Sequence, residues 1–216
     1  LIAYQSGSSG TAEELITKAL KIQPTYTDAH INLGYLFSEL GRLEEAAECY
    51  VNALALNPDD ADVLVNRANL LRKLGYLKEA VLDYKKVLAL RPNDPEVLIN
   101  LGALHSELGQ FEDGADIIRK AITQNPNIPE AHTNLGICLM GLHQFAESIV
   151  SFHNALQLQP NSPTAHNNLG NALHKMGSPD KALVSYREAL ALTPGDAEVI
   201  YNIGDQYLEL GQTDEA

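Results

Sequence analysis

Proline recurs every 34 residues, at Pro24, Pro58, Pro92, Pro126, Pro160 and Pro194, so the chain is one short unit written repeatedly. A period between about 20 and 50 residues marks stacked supersecondary units, none of which buries its apolar face alone. Such an array has no single centre and grows by contacts between neighbours, so its 216 residues need not be divided into globular domains. Any functional surface must repeat with it.

Placing each proline at position 32 gives five whole units, 27–60, 61–94, 95–128, 129–162 and 163–196, with partial units 1–26 and 197–216 at the ends. Position 8 is then Gly34, Ala68, Gly102, Gly136, Gly170 and Gly204, and position 20 is Ala12, Ala46, Ala80, Gly114, Ser148, Ala182 and Ala216. Small residues there let two helices approach closely. Position 24 carries Ile16, Tyr50, Tyr84, Ile118, Phe152 and Tyr186, one helical turn before position 27, which carries Ala19, Ala53, Val87, Ala121, Ala155 and Ala189. That spacing is a packed helix face.

Between the two apolar stretches lies glycine at position 15, as Gly7, Gly41, Gly75, Gly109, Gly177 and Gly211, which permits the left-handed cap that ends a helix. The unit therefore reads helix, turn, helix. The next first helix starts behind a cap such as Asp60, Asp94 or Ser162, with proline at its first position in Pro95, Pro129 and Pro163. In the run Ser6 to Gly10, Gly7 holds the turn position and Thr11 with Glu14 forms a capping box, so the second helix of the first unit is expected to start there.

Composition excludes several classes. Aspartate and glutamate outnumber lysine and arginine 28 to 15, and the net charge of −13 repels nucleic acid and anionic lipid. No run approaches the roughly 18 apolar residues of a membrane span, so no direct membrane insertion is expected. Cys49 and Cys138 stand at different places in the repeat without metal-type spacing, which predicts two buried thiols and neither disulfide nor zinc site. With no secretory or transit segment visible, a cytoplasmic setting is expected.

The period, the small residues at positions 8, 20 and 27, the aromatics near 11 and 24, and the proline at 32 resemble the tetratricopeptide repeat along essentially the whole chain. The resemblance implies an all-α fold, a right-handed superhelix (α-solenoid) of antiparallel helix hairpins whose first helices line a concave groove. Such arrays bind peptides or proteins and carry out no chemistry themselves, so no enzyme activity, no cofactor and no catalytic or metal-binding residue is expected.

Positions 2, 6, 9 and 13 share one stripe of the first helix, and in the family this stripe faces the groove. Position 6 is asparagine in every unit that contains it: Asn32, Asn66, Asn100, Asn134, Asn168 and Asn202. Asparagine is a mediocre helix former and has no cap to satisfy in mid-helix, so the six share a cause. Either each amide bonds a neighbouring helix and fixes the stacking, or each offers a donor and an acceptor to the main chain of a bound peptide. A peptide contacting several amides gains affinity with little regard for its side chains, at about 0.5–1.5 kcal/mol per bond. The column is similar to the asparagine ladder of O-linked N-acetylglucosamine transferases, closest around Ala165 to Leu173. Position 2 adds an acidic row, Asp28, Asp62, Glu96, Glu130 and Glu198, broken by Thr164, which disfavours an acidic ligand but also suits the helix dipole. Position 9 brings Asn69 and Asn171 to the same stripe.

The carboxylate clamp of tetratricopeptide co-chaperones, similar around Asn66 and Arg67, is incomplete here: Asp28, Ile31, Glu96 and Asn100 stand where basic residues are needed. Arg67 replaces an otherwise apolar residue at position 7, either pairing with an acidic neighbour or marking a bend. His30, His132 and His166 share position 4, which reads as structural; His174 faces the groove with no carboxylate in a metal-like arrangement beside it.

The reading is a protein–protein interaction scaffold for a neutral or basic peptide or protein segment. Two alternatives stand beside it: the substrate-selecting region of a larger enzyme such as a peptide O-glycosyltransferase, and a self-assembling scaffold. The latter rests on Ala216 falling inside a second helix, leaving terminal repeats to associate.

Overall fold

The computed structural model describes residues 9–211, among which there are twelve helices and no strand. The chain forms two compact units, Leu1–Val97 and Leu98–Ala216. The first contains α1 (Ser9–Ile22), α2 (Thr27–Glu39), α3 (Leu43–Leu56), α4 (Ala61–Lys73) and α5 (Leu77–Leu90), each packed on the next. Helix α6 (Pro95–Glu107) begins in the first unit and continues into the second. The second unit goes on with α7 (Phe111–Gln124), α8 (Pro129–Gly141), α9 (Phe145–Leu158), α10 (Pro163–Lys175), α11 (Pro179–Leu192) and α12 (Ala197–Glu209). From α7 onward each helix packs on its successor, and α8 also touches α10, so first helices stack on first helices.

The hairpins close where the periodic small residues predict. A β-carbon on Gly170 would lie 2.4 Å from Cε1 of Tyr186, and one on Gly136 would lie 2.5 Å from Cε1 of Phe152. The ring at position 24 thus occupies the space a side chain at position 8 would need. Gly114 makes the same allowance within its own hairpin and towards the next, its absent β-carbon falling 2.8 Å from the carbonyl oxygen of Gly102 and 3.0 Å from Cys138 Sγ. Around these points Tyr50, Tyr84, Ile118 and Phe152 are fully buried.

Both junctions also follow sequence logic. At the first turn the N–H of Arg42 bonds the carbonyl of Phe37 at 2.9 Å, and Gly41 adopts φ 73°, a left-handed cap that orphans fewer carbonyls. Gly75, Gly109 and Gly177 repeat it at φ 82°, 73° and 69°. His143 takes the same conformation at φ 58° without glycine's freedom, and its ring meets Phe145 edge-on at 5.7 Å. Asp60, Ser162 and Asp196 cap α4, α10 and α12 by accepting backbone N–H bonds from Val63, Ala165 and Val199. Pro95, Pro129 and Pro163 open α6, α8 and α10 as predicted.

The first unit departs from expectation. Helix α1 already includes Ser9, Gly10 and Thr11, so Thr11 lies inside the helix and the expected Thr11–Glu14 capping box does not form. A threonine whose N–H is already helical has no free first-turn donors ahead of it to cap. The predicted turn glycine Gly7 and the terminal Ala216 lie outside the described residues.

Candidate functional site

In the first unit Asn32 and Asn66 are both half-buried on α2 and α4, while Asp28, Asp62 and Glu96 are exposed. Not every member of the stripe is available. Asn69 Oδ1 accepts the Tyr84 hydroxyl at 2.5 Å, and Asp62 is paired with Arg91 at 2.9 Å. Arg67 resolves in favour of local pairing: its Nε and Nη2 donate to Asp83 Oδ2 and Oδ1 at 2.7 and 2.6 Å, and Asp83 is 5% exposed. A bidentate pair of this kind faces the core of its own hairpin and is no ligand clamp.

In the second unit Asn100, Asn134, Asn168 and Asn202 are likewise half-buried, and Glu130 is exposed. Within the column, Asn202 bonds to a neighbouring first helix. Asn202 Nδ2 donates to Asn167 Oδ1 at 3.1 Å and to Asn171 Oδ1 at 3.4 Å, tying α12 to α10. Asn171 Oδ1 also takes the Tyr186 hydroxyl at 2.8 Å, and Asn167 Nδ2 donates to Glu198 Oε1 at 3.0 Å. The side chains of Asn134 and Asn168, by contrast, make no hydrogen bond among the described residues, although both are partly desolvated.

A cavity of about 310 Å³ opens in this unit, lined by Met140 of α8, Asn171 and His174 of α10, and Asn202, Asp205 and Gln206 of α12. Three successive first helices thus contribute positions 6, 9 and 12 to one concavity, close to the predicted stripe. Beside it stands a cluster that contradicts the reading of His174 as lacking carboxylate neighbours. Asp205, Glu209 and His174 each place one ligand-capable atom within 4.8 Å of the others, and His174 Nδ1 lies 3.3 Å from Glu209 Oε2. The signal was present in the sequence. Position 12 of one unit meets positions 9 and 13 of the next, and only this junction collects a histidine and two carboxylates there.

Three other histidines are structural. His30, His132 and His166 point Nε2 at the carbonyls of Pro24, Pro126 and Pro160, at 2.8, 2.8 and 2.9 Å, latching each first helix to the end of the previous repeat. His105 is 6% exposed with neither ring nitrogen partnered, at a position that is Leu71, Leu139 and Leu173 elsewhere; nothing in the structure explains it. Both cysteines are buried, and burial raises both thiols, Cys49 to about 11, so neither supplies a thiolate near neutral pH.

Family profiles described as TPR repeat match residues 34–75, 68–109 and 139–177. The chain belongs to the tetratricopeptide repeat family. Further profiles described as tetratricopeptide repeat match 15–48, 95–128, 163–196 and 185–216 of the array. Among solved structures, the array is similar to a tetratricopeptide repeat protein from Parabacteroides merdae, at TM-score 0.87 and 22% identity over 99% of this chain and 84% of that one. It is also similar to YrrB, a TPR protein with an unusual peptide-binding site, at TM-score 0.66 and 24% identity over 88% and 97% of the two chains. A chain of the APC/C hetero-tetramer Cut9-Hcn1 matches at TM-score 0.79 and 19% identity over 96% of this chain and 41% of that one. No curated protein sequence matches. Among the described residues no helix is long and apolar enough to cross a membrane.

Proposed function

We propose that this TPR array is a protein-interaction scaffold that binds a segment of another protein along the first-helix stripe, with no reaction of its own. The observation that carries the reading is the cavity lined jointly by α8, α10 and α12, with Asn171 and Asn202 of the stripe in its wall. Asn134 and Asn168 strengthen it, since a half-buried carboxamide without a protein partner gains by meeting the main chain of a guest. The peptide-binding site of YrrB and the partnership of Cut9 with Hcn1 show what similar folds do elsewhere. Asparagines in register give affinity, and the acidic row sets the class of guest: a net charge of −13 with Glu96 and Glu130 exposed favours a neutral or basic segment and disfavours nucleic acid.

Selection of random displayed peptides on the chain tests this. Binders are expected to be poor in aspartate and glutamate, and their affinity is expected to fall with added salt, because exposed charges are screened beyond about 8–10 Å. Glu130→Lys is expected to weaken them further. Enrichment of acidic peptides, or binding indifferent to both salt and the substitution, would remove the charge argument and leave the acidic row as helix N-terminal decoration.

A further inference from the structure

Three ligand-capable side chains gather beside the α10–α12 junction, one atom of each within 4.8 Å of the others. His174 contributes Nδ1, from the last turn of α10. Asp205 and Glu209 stand one turn apart on α12, so their carboxylates share a helix face. The 3.3 Å between Nδ1 and Glu209 Oε2 matches the spacing within a small coordination shell, since ligand atoms each about 2.0–2.2 Å from one ion at tetrahedral angles lie roughly 3.4 Å apart. Two carboxylates also balance the charge of a divalent ion.

A second observation points the same way. Gln206 is 1% exposed, and its Nε2 reaches both His174 Nδ1 at 2.7 Å and Glu209 Oε2 at 3.3 Å. One amide donor is therefore shared between two acceptors, and its bond to Nδ1 requires the tautomer in which Nδ1 carries a lone pair, which a metal ion would take in place of the Gln206 N–H. Meanwhile Gln206 Oε1 is buried with no partner, the sign of a polar cluster that protein groups alone do not satisfy.

We propose that His174, Asp205 and Glu209 bind a divalent transition-metal ion that clips one repeat to the next. The imidazole nitrogen selects against calcium and magnesium, which prefer all-oxygen shells, and a nitrogen–oxygen set of this kind suits zinc. Three protein ligands leave a position for water on the side of the cavity. This inference does not depend on the binding of a peptide.

The test is calorimetric titration of the tag-free chain with zinc, in wild type and in Glu209→Gln and His174→Ala. Glu209 is half-exposed, so its isosteric change leaves folding intact. The expected result is one saturable ion per chain, weakened about tenfold or more in each variant, together with slower amide exchange in α12 when zinc is present. No stoichiometric binding in wild type, or binding that both variants retain at full strength, overturns the proposal. Should His174→Ala disturb the junction by itself, Glu209→Gln alone still decides.

Discussion

Truncation of Arg67 to alanine is expected to destabilise the α4–α5 hairpin by about 3–5 kcal/mol, because it leaves the Asp83 carboxylate buried without its partner. The pair is bidentate at 2.7 and 2.6 Å, and Asp83 is only 5% exposed, so its carboxylate loses both charge-assisted bonds where little solvent reaches it. The register offers a control. Other repeats place Leu33, Leu101, Leu135 and Leu169 where Arg67 stands, facing Cys49, Ile117, Ser151 and Ser185 where Asp83 stands. Replacing both residues, as Arg67→Leu with Asp83→Ile, reproduces the Leu101 and Ile117 combination of the next repeat and is expected to cost little or to stabilise, since well-packed apolar residues often replace a buried ion pair without loss. Chemical denaturation of the two variants checks this. A mild single variant, or a double variant as damaged as the single, would show that the pair is not what holds Arg67 in the hairpin.

Gly170→Leu is expected to be nearly as damaging, at about 3 kcal/mol. Its side chain would have to enter space already held by the Tyr186 ring, which comes within 2.4 Å of the position of a β-carbon alone. Nor can the ring swing aside freely, because its hydroxyl donates to Asn171 Oδ1 at 2.8 Å. Overpacking costs about 1–3 kcal/mol, and loss of the bond adds about 0.5–1.5. Ala68, which faces Tyr84 at the equivalent place, shows that a hairpin built around one extra methyl is viable, so Gly170→Ala is expected to cost much less. Because repeats need not unfold together, amide exchange in α10 and α11 is the suitable measurement. The Leu substitution made in a Tyr186→Ala background is expected to lose most of its effect; an unchanged penalty there would mean the ring is not the obstacle.

These two sites mark how far the sequence could be read. The hairpin was legible because its causes are local and repeat: glycine in the left-handed turn, a small residue opposite a ring, proline opening a first helix. Even His143, which breaks the glycine rule, adopts the turn that the other five positions require. What stayed hidden was pairing between side chains that are distant in sequence. Arg67 was visible as odd, but choosing Asp83 as its partner requires knowing that positions 7 and 23 face each other. His174 looked isolated because its carboxylate neighbours come from the next repeat, more than thirty residues on. Thr11 was misjudged for the opposite reason: a cap pattern is short, and the residues before it continue the helix. The asparagines were identified as a set, yet Asn202 of the column bonds Asn171 across the stack while Asn134 and Asn168 make no side-chain hydrogen bond among the described residues, a split that the uniform column conceals.

That split makes the asparagine column the place to test the account. Asn100, Asn134 and Asn168 changed together to alanine, and titrated with a peptide selected on the wild-type chain, should lose about 2–4 kcal/mol of binding, at roughly 1 per bond, while the melting temperature stays close to that of the wild type. A large fall in melting temperature with binding unchanged would contradict it and assign the whole column to the stacking of the helices.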